Sequence, residues 1–200
     1  MRFNFSTVMP MLAACALSTA ASAHTGVDEA SQMSFLTGLW HPVTGLDHLV
    51  AMVAVGLWSA LVARRAGIEL LWGPLGFTSL LLLGALAGLQ SISPPVVEPM
   101  IAASVLVLGL LVLTRQRLPG LVAASLVGGF ALFHGVAHGV ELAHSGNAWS
   151  ALAGMLCATA LLHAIGLALG WVLRSADGWM PRAIGLAVAV WGGALMLQLA

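Results

Sequence analysis

The chain has 200 residues, 60% of them hydrophobic and only 7% charged, with a formal net charge of zero. Soluble domains carry roughly 25% charged residues, so this composition belongs in a lipid bilayer. There is no Lys and hence no basic patch for nucleic acid, and no G-x-x-x-x-G-K-[ST] loop for an intrinsic ATPase motor.

The first residues read as an export signal. Arg2 supplies the positive start, "VMPMLAACALSTA" the apolar stretch, and "ASA" at 21–23 a small-residue cleavage site. Cleavage there exposes His24, whose free amine and ring could together chelate a metal. A rival reading takes "LAAC" at 12–15 as a lipoprotein box with Cys15 as the lipidated residue. On the first reading residues 1–23 are a signal peptide, 24–42 a periplasmic N-terminal segment and 43–200 the transmembrane domain.

Spanning helices need about 20 mostly apolar residues. Six segments satisfy this: 43–63, 68–90, 95–114, 119–143, 148–173 and 180–199. "RRAG", "SISPPVVEP", "RQRLPG", "HSGN" and "RSADGWMP" separate them, with the punctuation expected of turns. The expected fold is an all-α integral membrane protein of six transmembrane helices. Arg64, Arg65, Arg115, Arg117, Arg174 and Arg182 fall in the first, third and fifth connections. Positive residues stay in the cytoplasm, so both mature termini face outward. Gly84 and Gly88, Gly135 and Gly139, and Gly166 and Gly170 have the spacing that lets membrane helices approach closely.

Charged groups at membrane depth cost at least ~2.5 kcal/mol each and usually mark ion pathways. "HPVTGLDH" places His41, Asp47 and His48 at the lip of the first helix. "FHGVAHGVELAH" sets His134, His138 and Glu141 at i, i+4 and i+7 on one face of the fourth. The fifth helix adds His163, which alone reads better as a packing residue, and His144 reads as a solvated loop residue. Met52 shares the His48 face but reads as core. No Lys or Arg is expected at membrane depth to pair with Asp47 or Glu141. Two uncompensated carboxylates among imidazoles call for a cation. Imidazole and carboxylate suit borderline divalent metals such as Ni, Co and Zn rather than Cu(I). Counting along the helices orders the path. His48, His138 and Glu141, with Asp47 as ligand or orienting partner, form an outer site. His41 stands at its entrance, His134 lies a turn deeper, and His163 lies roughly 20 Å from the outer end.

"HPVTGLDHLVAMVAVGLW", "FHGVAHGVE" and "ATALLHAIGLALG" together resemble the HupE/UreJ family of nickel/cobalt permeases across essentially the whole mature chain. The resemblance implies a bacterial inner-membrane protein, not an enzyme, that moves Ni²⁺ or Co²⁺ inward for hydrogenase, urease or cobalamin assembly. It implies no permanently bound cofactor, the metal being cargo. By the same resemblance His41, Asp47 and His48 are the motif residues of the first helix, and His134, His138 and Glu141 those of the fourth. Ala143 stands where family members often have Pro, a change at the helix end that leaves the ligands in place. Two other classes fit the histidines: a metal-binding accessory or sensor protein without transport, and a haem-binding redox protein. An intramembrane metalloprotease does not fit, because the H-E-x-x-H order is absent.

Overall fold

A computed structural model describes residues 26–143, 147–175 and 178–199, with side chains from Ser34 onward. The expected signal peptide, His24 and His144 lie outside the described residues. Among the described residues every regular element is helical: α1 (Gly26–Thr44), α2 (Leu46–Val62), a 3₁₀ turn (Ile68–Leu70), α3 (Trp72–Leu89), α4 (Val97–Thr114), α5 (Gly120–Leu142), α6 (Ala148–Leu173) and α7 (Trp179–Gln198). Five of these helices are long and apolar enough to cross a membrane. A sixth span requires taking Ser34–Thr44 and Leu46–Val62 together, a pair bent by 81°.

That bend refines the reading of the first span. At ~1.5 Å per residue α2 is about 25 Å long, short of the ~30 Å hydrocarbon core. Its N-terminal end is set by Gly45, an extended residue between two helices (φ −89°, ψ 109°). Pro42, inside α1, lacks the N–H that would continue the helical ladder. The segment expected to precede the first span therefore carries most of a helix from Gly26 on, which packs on the N-terminal half of α6. A Cβ on Gly38 would overlap the Ala151 carbonyl, and one on Gly154 the Phe35 carbonyl.

The bundle pairs α3 with α5, α2 with α6 and α4 with α7. Exchanging the first three spans for the last three carries α2–α6 onto α5–α3 and α4–α7 onto itself, the pairing an inverted repeat produces. Small residues set the α3–α5 contact. Gly84 and Gly88 face Gly135 and Gly139, and a Cβ on Gly135 would overlap the Leu81 carbonyl. With lipid as apolar as Leu, such backbone proximity holds membrane helices together through dispersion. Bulky apolar side chains point outward, among them Leu121 and Val172. Trp40 and Trp149 at one end, and Trp171 and Trp179 at the other, are exposed where an interfacial aromatic belt would lie. Asn147 starts α6 by accepting a hydrogen bond from the Ser150 N–H at 3.1 Å.

The packing generates a paired expectation. Gly135→Leu drives a side chain into the α3 backbone and should cost at least about 1–3 kcal/mol, lowering membrane abundance. Gly129→Leu, on the same helix with nothing within 4 Å of its Cβ position, should be tolerated. Quantitative immunoblots of membrane fractions compare the two, and equal abundance would mean that α3 and α5 are not clamped at Gly135.

Candidate metal centre

α5 delivers three functional side chains because of how it is clamped. In "FHGVAHGVE" each His precedes a Gly. Gly135 and Gly139 lie against α3, so His134 and His138, one residue earlier and ~100° around the helix, turn toward the centre of the bundle. Both are buried, at 0% and 1% exposure, whereas Glu141, one turn beyond His138, is 56% exposed. The gradient defines a mouth and a floor.

The α1–α2 elbow brings the second set of groups to that mouth. His41, near the C-terminal end of α1, places Nε2 2.6 Å from Glu141 Oε2. His138 Nδ1 lies 3.6 Å from the same carboxylate oxygen, too far for a hydrogen bond. The ligand atoms of His41, His138 and Glu141 all fall within 4.8 Å of one another, a spread that one metal ion could draw together. Across the elbow His48 Nδ1 sits 2.9 Å from Asp47 Oδ1, out of line for a formed hydrogen bond. Gly45 makes room for this pair: a Cβ there would lie 3.2 Å from Asp47 Oδ1 and 3.4 Å from His48 Nδ1. Among the described residues the carboxylate contacts here are with histidines and involve no Arg.

The imidazoles continue inward as a column. Ring centroids are 4.7 Å apart between His41 and His138, 4.2 Å between His48 and His138, and 4.8 Å between His48 and His134. Phe77 of α3 follows, 5.8 Å from His134, and then His163 of α6, 5.1 Å from Phe77. Helix counting placed His163 deepest; its ring contacts Phe77, the same phenyl ring that His134 contacts.

The nitrogens of this column are short of partners. His48 Nδ1, His134 Nδ1, both nitrogens of His138 and His163 Nε2 are buried without a hydrogen bond. A buried polar group left unsatisfied costs about 1–3 kcal/mol, so the column is expensive unless something fills it. A divalent cation would use those lone pairs and neutralise both carboxylates at once.

One residue outside the sequence reading sets the tautomer of His134. The Ser104 hydroxyl on α4 donates to the Ile101 carbonyl at 2.6 Å. Its proton is thus committed, and its contact with His134 Nε2 at 2.8 Å must be an N–H donated to the serine oxygen. The Nδ1 lone pair of His134 is thereby left without a hydrogen bond, as the outer partners of metal-binding histidines arrange it. The available signal was one hydroxyl in the apolar run "IAASVLVLG", which also fits a Ser bonding its own helix.

The structure regroups the sequence-derived site in one respect. His41, expected at the entrance, has its ligand atom beside those of His138 and Glu141, while the His48 nitrogen faces Asp47. His134 joins the column, His163 shares the Phe77 contact with it, and Met52 is in the hydrophobic core as expected.

Comparison with known proteins identifies the family. The profile of the HupE / UreJ protein family matches residues 12–195. Protein HupE of Rhizobium leguminosarum bv. viciae is 40% identical over 196 residues, covering 97% of this chain and 99% of the relative. No solved structure matches. With a family match over almost its whole length and a relative of that identity, the chain is a member of the HupE/UreJ family.

Proposed function

We propose that the protein is an inner-membrane permease that takes up divalent nickel or cobalt, with both mature termini on the outer face. The observation that carries this reading is the column of buried, unpartnered imidazole nitrogens leading inward from an exposed carboxylate. His41, His138 and Glu141 are the outer ligands. His48, oriented by Asp47, passes the ion to His134. Imidazole nitrogen and carboxylate oxygen suit Ni²⁺ and Co²⁺, and among the described residues no cysteine joins the grouped ligand atoms to favour Cu(I). The metal supplies a metalloenzyme or cobalamin assembly route inside the cell. A haem-binding role is disfavoured, because the histidine rings touch edge to face and leave no slot for a porphyrin.

Energy for uptake is available without a motor domain. An inside-negative potential of ~100 mV is worth about 4.6 kcal/mol for a divalent ion, roughly three decades in concentration. Purified protein in liposomes should therefore accumulate radioactive Ni²⁺ when a potassium gradient with valinomycin sets that potential, and stop when the potential is collapsed. Metal-specific uptake that ignores the potential would show that electrophoretic entry is the wrong mechanism.

Side-chain removal should separate ligands from bystanders. His41→Ala, His138→Ala and Glu141→Gln should each lower Ni²⁺ uptake at least tenfold at equal membrane abundance, while His144→Ala should do little. Full uptake by His41→Ala would return the outer site to the grouping of His48 with His138 and Glu141.

The tautomer argument makes a separate expectation. Ser104→Ala removes the acceptor that holds the His134 proton on Nε2, and a lost outer partner typically costs 10–100-fold in metal affinity or activity. Uptake should fall by that factor while the outer ligands still bind Ni²⁺ in equilibrium titrations. Unchanged uptake would mean that His134 is a packing residue.

A further inference from the structure

At the end of the bundle opposite the His41–Glu141 mouth lies a cavity of about 410 Å³ that the metal centre does not use. Its roof is made of Ser59 on α2, Gly73 on α3 and Ala123 on α5, and its rim carries Arg64, Glu69 and Arg117. Ser59 and Ala123 are buried, whereas the three charged residues are exposed. The Ser59 hydroxyl has no hydrogen-bond partner although it is 2% exposed. An orphan hydroxyl in the roof of a polar-rimmed cavity is in place to meet water or a hydrated ion.

Two antiparallel helices measure the distance from this roof to the histidines, and they agree. Eleven residues separate His48 from Ser59 on α2, and eleven separate His134 from Ala123 on α5. Each interval is ~16 Å at helical rise. Between lie Val55, Phe77 and Val127, all at 0–1% exposure and all in one apolar cluster. Gly73 ties the levels together: a Cβ there would stand 2.6 Å from Ser59 Oγ and 3.5 Å from Val55 Cγ1. Phe77 stands one turn of α3 above Gly73, in contact with the rings of both His134 and His163. A side wall is closed by Trp58, whose Nε1–H donates to the Gln116 carbonyl at 3.0 Å.

We propose that this cavity is the inner exit vestibule of the permeation path, shut off from the histidine column by the apolar layer of Val55, Phe77 and Val127. The inference rests on the transport reading above. Charge supports its direction. The outer mouth offers carboxylates and imidazoles, whereas among the described residues no imidazole lines the vestibule and two guanidinium groups stand at its rim. Its one rim carboxylate, Glu69, already accepts the Arg64 backbone N–H at 2.9 Å. Such a lining holds a divalent cation weakly and repels its return, and conduction requires sites weak enough to leave.

Cysteine accessibility tests it in the full chain with Cys15 and Cys157 replaced by Ser. Ser59→Cys, and independently Ala123→Cys, are exposed to a membrane-impermeant cationic thiosulfonate in vesicles of either orientation. Modification is expected only from the arginine-bearing face, with Ni²⁺ uptake falling at least tenfold and equilibrium Ni²⁺ binding within twofold of the unmodified value. Uptake unaffected by complete modification of both positions overturns the exit assignment, as does modification from the opposite face or resistance from both. Loss of Ni²⁺ binding along with uptake also overturns it, since the cavity would then act on the outer site. Failure of the unmodified protein to take up Ni²⁺ sinks the permease reading instead, and is scored before any cysteine is labelled.

Discussion

Close backbone contact between α3 and α5 is the constraint from which the metal centre follows. Four glycines, Gly84, Gly88, Gly135 and Gly139, allow an approach that any side chain would prevent. In a bilayer, where apolar side chains gain nothing by leaving lipid, dispersion across such a seam is what fixes one helix against another. Once α5 is fixed in rotation, His134 and His138 are committed to the interior, together with the cost of burying their nitrogens. Ser104 then settles a finer matter, the proton position of His134, from a helix that contributes no ligand of its own. The histidines are thus held by packing rather than by one another, which leaves their lone pairs free for an ion.

The elbow at Gly45 is the second constraint, and it acts on the mouth. A continuous first helix would carry His41 about 10 Å beyond His48, one heptad at ~1.5 Å per residue. An 81° bend brings it back over Glu141. Broken spans are costly in hydrocarbon because they strand backbone groups, and they persist where those groups line a polar cavity. Here the break lies beside two carboxylates and three imidazoles, where a polar environment already exists. The shortness of α2 and the position of the site therefore have one cause.

The all-helical character, the connection positions and the shared face of His134, His138 and Glu141 were legible in the sequence, because apolar length and 3.6-residue periodicity are local properties. Six spans were expected; among the described residues the structure has five helices long enough to cross, or six if the bent first pair is one span. The order of the histidines along each helix was legible too, since rise per residue is nearly constant. His41 was not, because the angle at Gly45 depends on what α1 packs against, and spacing carries no record of that. Ser104 and Phe77 were not, because their roles exist only once α4 and α3 lie beside α5. Contacts between helices are set by the shapes of two surfaces, and one strand of text shows each surface separately.

Affinity and throughput pull against each other in the permeation path proposed above. With association at ~10⁸ M⁻¹s⁻¹, a favourable rate for an ion drawn to a negative mouth, a Kd of ~1 nM leaves a dissociation rate near 0.1 s⁻¹. A Kd of ~1 μM leaves one near 100 s⁻¹. A column of several adjacent imidazoles resolves the conflict if no position holds the complete ligand set. Three ligand atoms meet at the outer position, and the rings beyond it stand about 4–5 Å apart, so an ion can gain a ligand ahead as it loses one behind. The sequence of exchanges stops at Phe77, the phenyl ring that both His134 and His163 contact. A bare divalent ion is not stable in an apolar layer of that kind. On the permease reading proposed above, discrimination among metals is therefore made in the outer half, where ligand geometry is tested, and passage beyond it depends on displacement of Phe77 rather than on affinity.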